Sequence, residues 1–140
     1  MRFEAMLKWS GRQIRDEVLS RLEMRCSRLS CFSHFLGDLI ERQGRETIAD
    51  IAEGIGGAGM VRIFRLLCFD FSYWRGGFPD LLLWRSSPPN VKFIEVKGPR
   101  DSLSARQRAW MQELLAASLD ASVCHVLEPH STRATHLLEY

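Results

Sequence analysis

The 140-residue chain contains no run of about 18 apolar residues, so no transmembrane helix is expected. Its opening, MRFEAMLKWSGRQ, lacks the apolar centre of a signal peptide, and a soluble intracellular protein is the default expectation. Only four cysteines occur, Cys26, Cys31, Cys68 and Cys124, and without a secretion signal they read as free thiols rather than a disulfide framework. Cys26, Cys31 and His34 lie close together, but a structural zinc site needs four ligands, and no second pair of matching spacing follows. A net charge of only +2 does not by itself argue for a nucleic-acid partner. There is no internal repeat and no low-complexity tract. The glycine-rich GIGGAG, residues 54–59, follows a helical pattern rather than a strand and lacks the Gly-Lys-Ser/Thr ending of a phosphate loop. It reads as a helix stop and turn.

Helical periodicity is present early. Ile14, Val18, Leu22, Leu29, Phe32, Leu36, Leu39 and Ile40 recur at three- and four-residue steps, which predicts one long or two shorter helices over 10–43, stopped at Gly44. Arg12, Arg15, Arg21, Arg25 and Arg28 in this segment read as a solvated face, with phosphate contact as the alternative. A short helix follows from residue 46, then the glycine break, then a helical period from Met60 to Phe71. From Pro79 the pattern becomes strand-like. DLLLW and VKFIEVK predict a buried hairpin whose loop is the six residues Arg85 to Asn90. SLSARQRAWMQELLAAS predicts a helix with Leu103, Gln107, Trp110, Met111 and Leu114 on one face, and ASVCHVL a last strand. The expected fold class is α/β: a mixed sheet, antiparallel through the hairpin and parallel after the helix crossover, with a helical N-terminal part.

The hairpin holds the chemistry. Side chains alternate faces along a strand, so Asp80 shares a face with Leu82 and Trp84, and Glu95 with Phe93 and Lys97. With the loop at Arg85 to Asn90, Trp84 opposes Val91 and Asp80 opposes Glu95. Opposed β-carbons lie about 4.5–5.5 Å apart. Two carboxylates that close need neutralising, and a divalent cation with oxygen ligands does so. The Val96 carbonyl offers a further oxygen, and Lys97 stands where it can orient a water or hold a phosphate oxygen. The bland alternative is an ion pair in which Lys97 bridges both acids. The apolar strands around them disfavour idle buried charge.

Pro79-Asp80 followed by Glu95-Val96-Lys97 resembles the PD-(D/E)xK nuclease signature. The wider text RGGFPDLLLW, FIEVKGPRDSLSARQRAW and VCHV resembles the virus-type replication-repair nuclease (VRR-NUC) domain, in the version found at the C-terminus of Fanconi-associated nucleases. The resemblance is strong from Arg75 to Val126 and weaker upstream. It implies a PD-(D/E)xK restriction-endonuclease-like core and a Mg²⁺- or Mn²⁺-dependent hydrolase that cuts DNA near 5′ flaps, degrades it from the 5′ side and serves interstrand cross-link repair in the nucleus. Under it Asp80 and Glu95 match the metal-binding carboxylates, Val96 the carbonyl contact, and Lys97 the catalytic lysine. Gln107 matches the glutamine beside such sites, and also completes a capping box with Ser104.

Arg75, Gly76, Gly77, Arg100 and Arg106 are the expected DNA-phosphate contacts, although each arginine alone also fits a solvated face and the glycines a simple turn. Trp110 is expected to pack on the sheet, Asp101 to serve the turn or helix entry, and His125 to be structural. The expected division is residues 1–58 as a helical part, 59–128 as the catalytic core and 129–140 as a tail. A third acid from an early helix is expected farther upstream than this chain extends. Glu4, Glu17, Glu23 and Glu41 are stand-ins, Glu17 weakly preferred. The alternatives are a degenerate domain that binds nucleic acid without cutting it, and a stand-alone nuclease of branched junctions. No membrane partner is expected.

Overall fold

The computed structural model describes residues 3–26 and 42–127. They fall into two compact units, one within Met1–Arg65 and Trp84–Val91, the other within Leu66–Leu83 and Lys92–Tyr140. The helices are α1 (Phe3–Met6), α2 (Gly11–Cys26), α3 (Arg45–Phe69), α4 (Phe71–Trp74) and α5 (Ala105–Ala116), and the strands β1 (Leu81–Ser86), β2 (Pro89–Lys97) and β3 (Asp120–His125). Residues 27–41 of the helical segment expected over 10–43, with Cys31, His34 and Glu41, lie outside the described residues, as does the 129–140 tail. No described helix is long and apolar enough to cross a membrane.

In the first unit, α2 starts where Ser10 and Gln13 satisfy each other's backbone. The Gln13 side chain accepts from the Ser10 amide at 2.9 Å, and the Ser10 hydroxyl accepts from the Gln13 amide at 3.3 Å. The glycine break expected after residue 54 is a single residue. Gly56 sits at φ 68°, ψ 171°, and helix resumes at once on its far side. Gly57 is required by a close approach, since a β-carbon there would lie 2.0 Å from the Met6 carbonyl oxygen. Met6, Ile14, Ala52 and Val61 form the buried cluster, with Phe3, Trp9, Val18 and Met60 packed around it. Arg15 on α2 pairs with Glu46, Asp50 and Glu53 on α3. Asp50 also accepts from the Ser86 hydroxyl at 2.7 Å, which ties the hairpin tip to α3.

The sheet has the order β1-β2-β3, with β3 parallel to β2 after the α5 crossover, as expected. The hairpin differs from expectation in two ways. Its turn is two residues, Ser87 and Pro88, not six; Arg85 and Ser86 end β1, and Pro89 and Asn90 begin β2. Proline is accommodated at Pro89 because the first residue of a strand need not donate to the ladder. The hairpin is also not buried throughout. Val91, Phe93 and Glu95 of β2 are buried, but the edge strand β1 leaves Leu81 49%, Leu83 51% and Trp84 43% exposed. In the second unit the core is aromatic. Edge-to-face contacts run from Phe93 to Phe78, Trp110, Trp74 and Tyr73, with centroids 4.8–5.6 Å apart. Trp110, on the apolar face of α5, is fully buried, and its indole N–H lies 3.1 Å from the Trp74 carbonyl and 3.2 Å from that of Gly76.

Two outcomes are expected. Trp110→Ala removes the centre of the aromatic chain and costs about 3–5 kcal/mol of unfolding free energy, measured by urea denaturation. The Ser86 hydroxyl, and then Arg15, hold the Asp50 carboxyl below its usual 3.8. A lowered carboxylate contributes stability above its unfolded value and loses that contribution as pH falls. Wild type therefore loses more stability than Asp50→Asn between about pH 5 and about pH 2 in paired thermal melts.

Candidate active site

Three elements of the second unit meet at the end of β2. The segment before β1 presents Asp80, β2 presents Glu95 and Lys97, and the first turn of α5 presents Gln107. Asp80 is exposed, and its Oδ2 accepts from the Val96 amide at 2.8 Å, so its carboxylate hangs on the peptide between Glu95 and Val96. Glu95 is 1% exposed. Its Oε1 accepts from Lys97 Nζ at 2.8 Å and from the Gln107 side-chain amide. Its Oε2 is buried and has no partner among the described residues.

Gln107 performs both tasks between which the sequence left a choice. Its Oε1 accepts from the Ser104 amide at 2.9 Å and from Lys97 Nζ at 3.2 Å, and its own amide donates to the Ser104 hydroxyl at 3.2 Å. The capping box that starts α5 thus also orients the Glu95–Lys97 pair. The bland reading is half present. Lys97 pairs with Glu95, while Asp80 bonds backbone instead.

A buried carboxylate oxygen without a donor is costly, and a cation would relieve it. The oxygens of Asp80, Glu95 and the Val96 carbonyl are the hard donors that Mg²⁺ or Mn²⁺ takes, with water filling the remaining positions. The residues present therefore fit a divalent cation. No cluster of three or more His, Cys, Asp or Glu is placed to hold a metal among the described residues. Of the stand-in acids, Glu4 and Glu23 are exposed, and Glu17 accepts from Arg21 Nε at 2.5 Å.

The expected phosphate contacts lie around the α4–β1 segment and the start of α5. Asp70 caps α4 by accepting from the Tyr73 amide at 3.0 Å, and that bond, then the one from Ser72, holds its carboxyl below the usual value. Gly77 has φ 77° and lies against Arg106, whose guanidinium sits 5.0 Å from the Tyr73 ring centroid. Arg75 and Arg100 are exposed. Asp101 closes the turn after β2, where its Oδ2 accepts from the Gly98 amide at 3.2 Å, in line with its expected role. Trp110 packs inside, as expected.

The profile of the VRR-NUC domain matches residues 14–128, and the chain belongs to the VRR-NUC family. It is similar to Fanconi-associated nuclease 1 of mouse, 42% identical over 78 residues that cover 56% of this chain and 8% of the mouse protein. It is 41% identical to the human protein over 78 residues. The fission-yeast homolog is 37% identical over 81 residues, covering 58% of this chain and 12% of the homolog. The aligned chain thus spans a small fraction of these relatives. Among solved structures it is similar to the crystal structure of paFAN1 bound to a 2-nucleotide 5′-flap DNA with a gap. That match has a TM-score of 0.63 and 25% identity, and covers 81% of this chain and 20% of the other. The mixed sheet with its helices is the PD-(D/E)xK-like fold of that nuclease domain.

Gln107→Ala removes the side-chain half of the capping box and a donor to a buried carboxylate. It is expected to cost about 2 kcal/mol, against about 1 kcal/mol for Ser104→Ala, which removes only the hydroxyl half of the box, in chemical denaturation of the two variants.

Proposed function

We propose that this chain is a divalent-metal-dependent DNA nuclease that hydrolyses phosphodiester bonds beside a 5′ flap, in the nucleus, as part of interstrand cross-link repair. The observation that carries the reading is Glu95, buried, with one oxygen gripped by Lys97 and Gln107 and the other without a partner among the described residues. Family membership and the flap DNA bound by the similar paFAN1 support the substrate class.

Asp80, Glu95 and the Val96 carbonyl would hold Mg²⁺ or Mn²⁺, which supplies Lewis acidity toward the phosphate and acidifies water. The chain's own groups do the rest. Lys97 carries three protons. Two are engaged by Glu95 Oε1 and Gln107 Oε1, which fixes Nζ and leaves the third for a phosphate oxygen or the attacking water. Gln107 keeps Lys97 and Glu95 aligned. Water attacks phosphorus and gives up a proton to solvent, the bond to the leaving strand's oxygen breaks, and that oxygen takes up a proton from solvent. Arg75, Arg100 and Arg106 would hold neighbouring phosphates, with Gly76 and Gly77 allowing the strand close to the backbone.

The lack of a third clustered acid among the described residues favours a second reading, a module that binds DNA without cutting it. Labelled 5′-flap DNA incubated with Mn²⁺ or with EDTA separates the two. Wild type is expected to cut only with Mn²⁺, and Asp80→Ala and Lys97→Ala to cut at least about a hundredfold more slowly, the loss typical of a removed electrostatic or acid–base group. Retained binding without cleavage by wild type would establish the second reading. Faster cutting of a four-way junction than of the flap would make it a junction nuclease.

A further inference from the structure

His125 has no task in the chemistry above, and its position gives it one. β2 and β3 run parallel, with Glu95 the Cα partner of Val123 and Lys97 that of His125. Partners in register project from the same face of the sheet, on strands about 4.8 Å apart. Glu95, Lys97, Val123 and His125 therefore share one face, and Cys124 projects from the other. The rung is fixed on its far side, where the Val126 amide donates to the Lys97 carbonyl at 2.8 Å. Along β3 the chemistry follows that of β2: half-buried Val123 beside buried Glu95, then exposed His125 beside Lys97. The His125 side chain has no hydrogen-bond or ion-pair partner among the described residues. Glu95 and Gln107 occupy two protons of Lys97, and His125 stands beside Lys97 in the register of the neighbouring strand.

We propose that His125 is a substrate-binding residue: its ring N–H donates to a non-bridging oxygen of the DNA phosphate that Lys97 also engages. The inference rests on the nuclease reading. It differs from the structural role expected of His125, because the register that brings it to Lys97 is set across the α5 crossover.

The test uses fluorescence anisotropy of labelled 5′-flap DNA with Ca²⁺ in place of Mn²⁺, under conditions checked to leave the DNA whole, alongside steady-state cleavage with Mn²⁺. His125→Ala is expected to weaken binding and raise KM about tenfold, with kcat changed less than about threefold, the effect of one lost hydrogen bond to a charged group. His125→Gln, which keeps a donor, is expected to recover most of the affinity. Cys124→Ala, on the opposite face, is expected to bind as wild type does. The proposal is overturned if wild type cuts and His125→Ala binds equally well, or if His125→Gln is as weak as His125→Ala and both melt lower. A wild type that neither binds nor cuts overturns the nuclease reading, and this inference with it.

Discussion

The site turns on one buried carboxylate. Removing Glu95 from water is unfavourable for a charged group unless partners replace the lost hydration. Lys97 and Gln107 supply that replacement to Oε1, and Oε2 has no partner among the described residues. The same constraint fixes the neighbours. Lys97 cannot swing away without stranding Glu95, and Gln107 cannot turn outward without loosening both the ion pair and the start of α5. Asp80 adds the second carboxylate through a backbone amide one residue beyond. The two carboxylates present the hard oxygen donors that suit a divalent cation.

Packing holds those groups in place. Trp110 lies at the centre of an aromatic chain that begins at buried Phe93 and ends at Tyr73 near the surface. Its indole hydrogen is presented to carbonyls of the segment leading to Asp80, so the helix that presents Gln107 also anchors that segment. One fully buried side chain thereby links the acidic, basic and glycine-rich parts of the site.

Much of this was legible in the sequence. Strand alternation placed Asp80, Glu95 and Lys97 together, and Ser104 with Gln107 announced the start of α5. The expected hairpin loop is too long by two residues on each side, yet both loops are centred on the Ser87–Pro88 bond, and the Asp80 carboxylate is bonded to the Val96 amide, next to Glu95. Prolines mark a turn but do not say how close to its tip the strands extend. Other features depend on neighbours that local pattern cannot identify. Leu81, Leu83 and Trp84 announce an apolar strand, not whether anything covers it. His125 meets Lys97 through a parallel register reached after a helix, which no count along the chain can supply. Asp50's bonds to Arg15 and Ser86 join residues more than thirty positions apart.

Gln107 stands at the third helical position of α5, inside its first turn. Helix ends fray, because their first amides lack partners within the helix, and they open at far lower free energy than the whole fold. Each fraying event at α5 would withdraw the group that aligns Glu95 and Lys97 while the rest of the domain stays folded. Local opening of that one helical turn is therefore enough to disorganise the site while the aromatic core stays folded, and the capping box that holds the turn also guards the site.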